Sequence, residues 1–444
     1  MVKKTQKINW VGKLYVGLLL VVFGGIVLHA PLSVGFSTLW PHYELLIKSW
    51  KEILLGIAVL LLPVLLTLHK RWNIFKEPLF LCIAAFAVLN IALIPLFFTG
   101  ANSTLAGILI NLRYLLFFVL VYVALTLYPQ YSRLFIKVFV AGALVVLGFA
   151  ILQETVLPHD ILKYLGYNKG TIMPYLTVDQ NPDFIRINST LRGPNPLGAY
   201  AMVVLVLLLT FWLKNPRKIT KPQLWMVGVL GIGGVVALWA SYSRSAVLGA
   251  VLALALVLLA VWGKKITKTV WVILAIVVVV IAGSLVAFKD TTFVSNVFLH
   301  VNPSEGNNIN SDQGHAQSLI DSTKQAIHQP LGAGIGSTGS ASLLTKSPLI
   351  IENQYLFIAH ETGWLGLGLF VAITWMLLVQ LWRGREDWFV LGVFASGVAL
   401  ALIGFIQPVW VDETVSIIWW GLAAIALVRY RGSAILLVDN ETKK

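Results

Sequence analysis

The feature that most restricts the fold of this chain is a series of long apolar runs separated by short polar segments. Runs of about 18–22 apolar residues are long enough to cross the hydrocarbon core of a bilayer as helices. Twelve runs have this character, at residues 12–29, 51–68, 78–97, 105–127, 134–152, 195–213, 223–241, 245–262, 269–288, 355–380, 387–406 and 412–428. In lipid every backbone polar group has to be satisfied within its own segment, which favours helices. The sequence therefore predicts an all-α, polytopic transmembrane bundle of about twelve helices, with residues 1–444 forming a single integral membrane domain.

The charged residues indicate how this bundle is oriented. Only 12% of the residues are charged, against about 25% in soluble domains. Twelve crossings place both termini on one side, and that side carries 22 of the 33 Lys and Arg residues, against 10 on the other. The positive-inside rule then makes both termini cytoplasmic. The net charge of +14 is thus mostly a topology signal and does not indicate nucleic-acid binding.

The longest polar segments fall on the extracytoplasmic side. They are a first loop at residues 153–194 and a larger loop at 289–354, whereas the cytoplasmic loops are short and basic and the tail is residues 432–444. Any chemistry is therefore expected outside. The first run, 12–29, is longer than the core of a signal peptide, about 7–15 residues, and is interpreted as an uncleaved helix. The single cysteine, Cys82, excludes an intrachain disulfide.

Two arginines stand where apolar runs meet this outer side. Arg192 precedes the sixth run, beside Pro194 and Pro196, which suit a helix entrance. Arg244 lies in a short, serine-rich turn between the seventh and eighth runs. Each arginine can simply extend to the interface or contact a lipid phosphate. Together they can also form an anion clamp, because the planar guanidinium matches phosphate geometry.

The larger loop contains a predicted amphipathic helix. Apolar residues recur at helical spacing from Ala316 to Ile327, and Ser311 or Asp312 can cap a helix that starts near Gly314. His315 lies in its first turn. His328 lies near its end, where a helix C-terminus favours a cation, so a structural role is expected for it.

A glycine-rich stretch follows this helix. Gly334, Gly336 and Gly339 have the spacing G-x-G-x-x-G, but no strand precedes them and the loop faces outward, which excludes a dinucleotide site. Two readings remain, a flexible turn and a backbone cradle for an anion.

The tenth run opens with Glu352 and Asn353 and contains His360 and Glu361. Ionisable side chains at that depth normally face a cavity or the interior of the bundle. Gly363 and the glycines after it also allow close helix packing, which requires no chemistry.

With these residues the chain resembles the O-antigen ligase and polymerase superfamily of bacterial envelope proteins. The resemblance rests on the order and spacing of short motifs. They are Arg192-Gly-Pro-Asn195-Pro-Leu-Gly, Ser243-Arg244-Ser-Ala, Gly314-His315, Pro330-Leu-Gly-Ala-Gly-Ile-Gly336, Glu352-Asn353-Gln-Tyr-Leu and Glu361-Thr-Gly-Trp-Leu-Gly366. The number of runs and the large loop before the last three also match.

The resemblance implies an enzyme of envelope polysaccharide biosynthesis in the bacterial cytoplasmic (inner) membrane. It implies transfer of a glycan from an undecaprenyl-diphosphate-linked donor to a sugar hydroxyl of a glycan or lipid-glycan acceptor. The reaction is expected at the extracytoplasmic face of the membrane, where the protein is surrounded by membrane lipids. The implied mechanism is metal-independent inversion without a cofactor, with residues 289–354 as the catalytic loop.

The resemblance also implies roles for individual residues. Arg192 and Arg244 correspond to cations that hold the diphosphate, and a base is needed at the acceptor hydroxyl. Many ligases have His-Asn at the start of the tenth helix, whereas this chain has Glu352-Asn353. His315 and Glu352 are therefore the two candidate bases, and the choice between ligase and polymerase stays open with them. The expected substrate-binding residues also include Asn353, His360 and Glu361.

Two other classes of protein compete with this interpretation. A lipid-linked oligosaccharide transporter places ionisable residues near the membrane midplane and often shows repeated halves. Here only Arg113 lies clearly in the middle of a run, and the other polar residues crowd the outer edge, which favours an enzyme. A non-catalytic scaffold would need neither Arg192 nor Arg244.

Overall fold

The computed structural model describes residues 9–178, 181–214, 220–263 and 311–441, with Ala287 and Thr291; for 311–316 and 433–441 it describes the backbone alone. Within these ranges the protein is a bundle of α-helices. In chain order they are α1 (Trp10–Gly25), α2 (His29–Leu39), α3 (Glu44–Lys48), α4 (Trp50–His69), α5 (Pro78–Ala92), α6 (Ala101–Leu127), α7 (Ser132–Thr155), α8 (Pro194–Lys214), α9 (Lys221–Ala240), α10 (Arg244–Trp262), α11 (Ser311–His328), α12 (Gly339–Ser342), α13 (Gln354–Arg383), α14 (Trp388–Ile403) and α15 (Glu413–Glu441). Short 3-10 turns connect several of them.

The prediction of an all-α, polytopic bundle is confirmed. Among the described residues, nine helical segments are long and apolar enough to cross a membrane, and α5 and α14 are shorter apolar helices. Eleven of the twelve predicted runs coincide with these helices. The ninth predicted run, 269–288, lies outside the described residues apart from Ala287.

Two helices are longer than the hydropathy pattern predicts. The first run does not stop at residue 29: α1 continues through a 3-10 turn, Ile26–Leu28, into α2, so that the helical segment is 30 residues long. The last helix, α15, extends to Glu441 and includes most of the predicted tail, 432–444. Serines and a threonine in α2 lower its hydropathy without interrupting the helix, which is why the pattern ends early there.

The described part of the first outer loop contains the small departure from an all-α fold. Strands β1 (Tyr175–Val178) and β2 (Asn181–Ile187) form an antiparallel hairpin. Arg186 on β2 donates through Nε to the carbonyl of Ser241 (2.9 Å) and through Nη2 to Asn195 Oδ1 (2.5 Å). The hairpin thereby fastens the start of α8 to the turn between α9 and α10.

Helices α6 and α15 form the centre of the bundle. Of their membrane-crossing windows 72% and 78% of the residues are buried, against 22% in α4. Both are apolar on all sides, as expected of helices surrounded by others. Trp410, Trp419 and Trp420 pack against one another, and Tyr114 of α6 stacks on Trp410. This aromatic layer lies just below the helix ends where the polar side chains collect.

Candidate functional site

The functional candidates collect at one end of the bundle, where α4, α8, α10, α13 and α15 begin. We call it the cavity end. Its first cavity has a volume of about 490 Å³. Its lining combines charged side chains with hydroxyl side chains. The charged residues are His29, Glu44, Lys48, Lys51, Glu52, Arg113, Arg192 and Glu413, and the hydroxyl residues are Ser33, Ser37, Thr38, Thr171 and Ser340.

Glu413 is the hub of the charged residues, because it contacts three of the others. It is the first residue of α15, where the positive end of the helix dipole favours a carboxylate. Its Oε1 lies 2.7 Å from His29 Nε2, and its Oε2 lies 2.9 Å from Lys51 Nζ and 3.1 Å from Arg113 Nη1. Its side chain is only 13% exposed. A carboxylate with so little exposure to solvent requires such partners, because burying an unpaired charge costs free energy.

The hydrogen bonds of His29 define the form of its ring. Nδ1 accepts from the indole N–H of Trp50 at 2.9 Å, and the hydroxyl of Ser33 lies 3.0 Å from the same atom. An N–H donor at Nδ1 means that this nitrogen carries no proton, so the proton of a neutral ring is on Nε2. Nε2 then donates to Glu413. His29 is thus a neutral bridge between α2, α4 and α15.

Arg192 faces the first cavity from the loop before α8. Its side chain is exposed and forms no hydrogen bond or ion pair with any residue that the structure describes. The charge of Arg192 acts on Asp412, just before α15, where burial raises the pKa, the neighbouring Glu413 raises it further and Arg192 and Arg113 oppose the rise. A guanidinium with unused donors in a polar cavity is suited to an anionic ligand.

A second cavity of about 280 Å³ lies beside the first. The N-terminus of α10, helix α11, the start of α13 and the turn after α14 enclose it. Its lining includes Arg244, Ser318, Ser322, Glu352 and Asn353, with Leu319, Ile351, Leu356, Phe405 and Ile406 as its apolar part. The structure therefore brings three of the predicted site residues, Arg244, Glu352 and Asn353, into one cavity.

Asn353 has both side-chain polar atoms occupied inside the protein. It caps α13, accepting through Oδ1 from the N–H groups of Tyr355 and Leu356 at 2.9 and 3.0 Å, and its Nδ2 donates to the carbonyl of Phe405. These bonds fix the entrance of α13 against the end of α14. Glu352, one residue earlier, is held in place at the cavity by this cap.

The two arginines line different cavities, whose supporting segments are in contact. A Cβ on Gly198 of α8 would lie 2.7 Å from Ser241 Oγ and 3.0 Å from Ser243 Cβ, so the helix after Arg192 packs directly on the turn before Arg244. The segment 404–413 also connects the cavities: Phe405 lines the second and Glu413 lines the first. A ligand large enough to extend past this segment can contact both.

The glycine-rich stretch does not form a cradle for an external anion. Its backbone N–H groups at Gly336 and Thr338 donate to Oε1 of Glu361, at 3.0 and 3.4 Å, and Asn111 donates to Oε2 at 2.7 Å. Glu361 is fully buried. A Cβ at Gly336 would lie 2.2 Å from the carbonyl oxygen of Ser103, and its φ of +81° also disfavours any other residue. The carboxyl group that these amides bind belongs to the protein itself.

The same stretch is inserted at a break in α13. Gly363 has φ 68° and ψ −172°, which interrupts the helix, and the N–H of Trp364 donates to the carbonyl of Pro330 at 2.9 Å. The carbonyl of His360 accepts from Ala333 at 2.6 Å. The His360 ring is buried, and its Nδ1 has no hydrogen-bond partner in the part of the chain described here. His360 and Glu361 thus lie beneath the glycine stretch, apart from the lining of either cavity.

Helix α11 confirms the predicted amphipathic helix, although it begins at Ser311, earlier than expected. His315 belongs to this helix, and its side chain lies outside the described residues. Position 315 stands about one turn before Ser318 and about two turns before Ser322, and both serines line the second cavity. Among the described side chains, no group of three or more His, Cys, Asp and Glu residues is placed to hold a metal ion.

Sequence reasoning missed the hub of the first cavity. Arg113 is twelve residues, about 18 Å, into α6, which suggests the middle of the membrane. It contacts Glu413 at the start of α15, beside Lys51 at the start of α4. Helix α6 therefore begins about three turns farther out than its neighbours, and Arg113 is level with their ends. The sequence contained one sign of this cluster: Lys51 and Glu413 each lie within two residues of a helix start, on the same predicted side of the membrane.

Comparison with known proteins agrees with this arrangement. The family model described as O-Antigen ligase matches residues 229–371, about a third of the chain. The match includes Arg244, α11 and the entrance of α13, and therefore most of the second cavity, whereas Arg192 and the Glu413 hub lie outside it. No curated protein matches the chain. The matched segment is similar to O-antigen ligases and supports glycan transfer of the ligase or polymerase type, and the long apolar helices are those of a multi-pass membrane protein.

Proposed function

We propose that the protein transfers a glycan from an undecaprenyl-diphosphate-linked donor to a sugar hydroxyl on a glycan or lipid-glycan acceptor. The observation that carries this proposal is Arg192, a cation without a partner among the described residues, in a 490 Å³ cavity next to the matched family segment. Breaking a sugar–diphosphate bond develops negative charge on the leaving group, and fixed cations stabilise it. The reaction needs neither a metal nor a cofactor in this scheme.

The two kinds of side chain that line the first cavity suit the two parts of such a donor. The diphosphate lies against Arg192 and the first sugar against the hydroxyl side chains, since these both donate and accept hydrogen bonds. The polyprenyl chain then extends between helices into the lipid. Arg244 adds a second cation from the neighbouring cavity, in reach of the donor across the segment 404–413.

The second cavity is the proposed site of the acceptor. Its mixture of polar groups with Phe405 and other apolar side chains is typical of sugar-binding surfaces, which need both hydrogen bonds and apolar contact. His315 and Glu352 are the candidate bases for the acceptor hydroxyl. Asn353 and Glu361 receive positioning roles, because their contacts hold the entrance of α13 and the glycine stretch. His360 accompanies Glu361 in that supporting layer.

Analysis of surface glycan after deletion of the gene tests this function. Loss of a ligase is expected to leave long polymer attached to the lipid carrier, because polymerisation continues without transfer to the final acceptor. Loss of a polymerase is expected to leave single repeat units. Glycan of normal length and attachment in the deletion strain would contradict the proposed activity. Lipid-linked glycan trapped on the cytoplasmic side would instead indicate a transporter.

We further propose that the cavity end faces away from the cytoplasm of the bacterial inner membrane and that both termini are cytoplasmic. The asymmetry of 22 to 10 basic residues supports this orientation. Cysteines can be placed singly at the exposed positions Leu344, at the cavity end, and Trp72, at the opposite end, after Cys82→Ala. The reagent is an impermeant thiol reagent, added to cells whose cytoplasmic membrane is intact and whose outer membrane, if there is one, has been made permeable. It is expected to label Leu344→Cys only. Labelling of Trp72→Cys alone would reverse the orientation.

A further inference from the structure

Beyond Arg192, the first cavity contains a second guanidinium with unused donors. We propose that Arg113 binds the second phosphate of the donor diphosphate and that Glu413 is the residue that positions it. This inference rests on the proposed function, because it assigns a ligand group within the same cavity. It adds a contact from α6, a helix outside the matched family segment.

Counting donors separates Arg113 from its neighbour Lys51. The ammonium of Lys51 has three hydrogens, and four acceptor atoms surround it. They are Glu413 Oε2 at 2.9 Å, the Lys48 carbonyl at 3.1 Å, Glu52 Oε1 at 3.2 Å and His29 Nε2 at 3.2 Å. Since Nε2 carries the proton of neutral His29, three true acceptors remain and they use all three hydrogens. Lys51 is therefore a cross-link within the protein, with no donor left for a ligand.

Arg113 has donors to spare. Its guanidinium carries five N–H groups in a planar fork, and the described residues engage two of its three nitrogens. Nη1 donates to Glu413 at 3.1 Å and Nη2 donates to the carbonyl of Val411 at 2.6 Å, whereas Nε is buried without a partner. The side chain is only 9% exposed and lines the first cavity. Nε is shielded from the cavity, whereas Nη1 and Nη2 each keep one N–H that these two bonds do not use and from which a phosphate oxygen can accept.

The partners of Arg113 also fix its direction. Glu413 and Val411 lie two positions apart in the same segment, and they bind Nη1 and Nη2 of the guanidinium. Glu413 is itself anchored by His29 and Lys51, so its carboxylate cannot follow Arg113 if that side chain turns. The arginine thus remains aimed into the cavity that also contains Arg192. Two guanidinium groups on one cavity can each bind one phosphate group of a diphosphate, whereas a monophosphate offers a single phosphate group.

Binding of two lipids to the purified full-length protein in detergent tests the inference. The probes are undecaprenyl diphosphate and undecaprenyl monophosphate, measured by equilibrium dialysis. Arg113→Lys keeps the charge and an ion pair with Glu413 but loses the fork. It is expected to weaken diphosphate binding by about tenfold or more and monophosphate binding little. Glu413→Gln is expected to weaken diphosphate binding in the same selective way, and Glu413→Asp to recover part of it. Arg192→Ala is expected to weaken the binding of both lipids.

A matched control is available at the opposite end of the bundle. Glu77→Gln removes a partly buried carboxylate 2.6 Å from Arg431, and it is expected to leave the binding of both lipids unchanged. Wild-type affinity of Arg113→Lys for both lipids, or equal weakening for both, would overturn the assignment of the second phosphate. Failure of the wild-type protein to bind undecaprenyl diphosphate would instead overturn the proposed function, and this inference with it.

Discussion

Replacement of either Arg192 or Arg244 by alanine is expected to abolish glycan transfer, with a loss of at least about a hundredfold in rate. The leaving diphosphate needs fixed positive charge in the transition state, and the proposed mechanism assigns that role to one arginine from each of the two cavities. Lysine at either position is expected to restore only part of the activity, because it keeps the charge but loses the bidentate fork. The measurement is transfer from lipid-linked donor by purified variants at matched protein levels.

Arg385 provides the control for this experiment. Like Arg244 it lies at a turn between two helices, here α13 and α14, but at the opposite end of the bundle, where it stacks on Trp382. Arg385→Ala is expected to transfer at the wild-type rate. Normal activity in both Arg192→Ala and Arg244→Ala would remove the arginine clamp from the mechanism and favour the simpler reading, in which the two side chains only contact lipid phosphates.

The second large effect is expected at the base. His315→Ala should lose most of its turnover, by about a hundredfold, and still bind the lipid-linked donor, because the arginines remain. Glu352→Gln should be less severely affected, since Glu352 is assigned to orienting the histidine or the acceptor. A neutral imidazole titrates near the operating pH, so the rate of the wild-type enzyme is expected to rise with pH through neutrality. A carboxylate base would already be ionised well below that range.

His328 is the matched control for His315, because both belong to α11 and His328 is the exposed last residue of that helix. His328→Ala should retain transfer and its pH profile. A wild-type rate in His315→Ala would end its candidacy as base. A pH profile that is flat through neutrality, together with a large loss in Glu352→Gln, would transfer the role to Glu352.

Hydropathy predicted most of the helices because a bilayer imposes a minimum length on each apolar run. It predicted their ends less well. Helix α2 is too polar to be recognised as a continuation of α1, and α15 continues to Glu441 past the basic residues that suggested a tail. Periodicity predicted α11 for a different reason, since an amphipathic surface helix leaves a repeating pattern in the sequence.

The grouping of side chains was harder to predict than the helices that carry them. Arg244, Glu352 and Asn353 were recognised from local motifs and line one cavity. His29, Lys51, Arg113 and Glu413 were not, because their association depends on how far each helix extends beyond its neighbours, which hydropathy does not encode. For a similar reason the sequence left two interpretations of the glycine stretch, a flexible turn and an anion cradle, and only the tertiary structure shows that its N–H groups bond to Glu361.

The contact between Glu361 and Asn111 has a consequence for how the chain is assembled during synthesis. The two residues are 250 positions apart, and the bonds from Thr99 and Ser103 to the glycine stretch span 236 and 233 positions. The bonds from Thr99 and Ser103 have to wait until the ribosome has made residues 335 and 336, and the bond from Asn111 has to wait for Glu361 in α13. During that interval Asn111 can still pair with Asn90, 21 positions earlier, at 3.2 Å. The early asparagine pair thus gives α5 and α6 an internal polar contact in the membrane before the carboxylate that completes it exists.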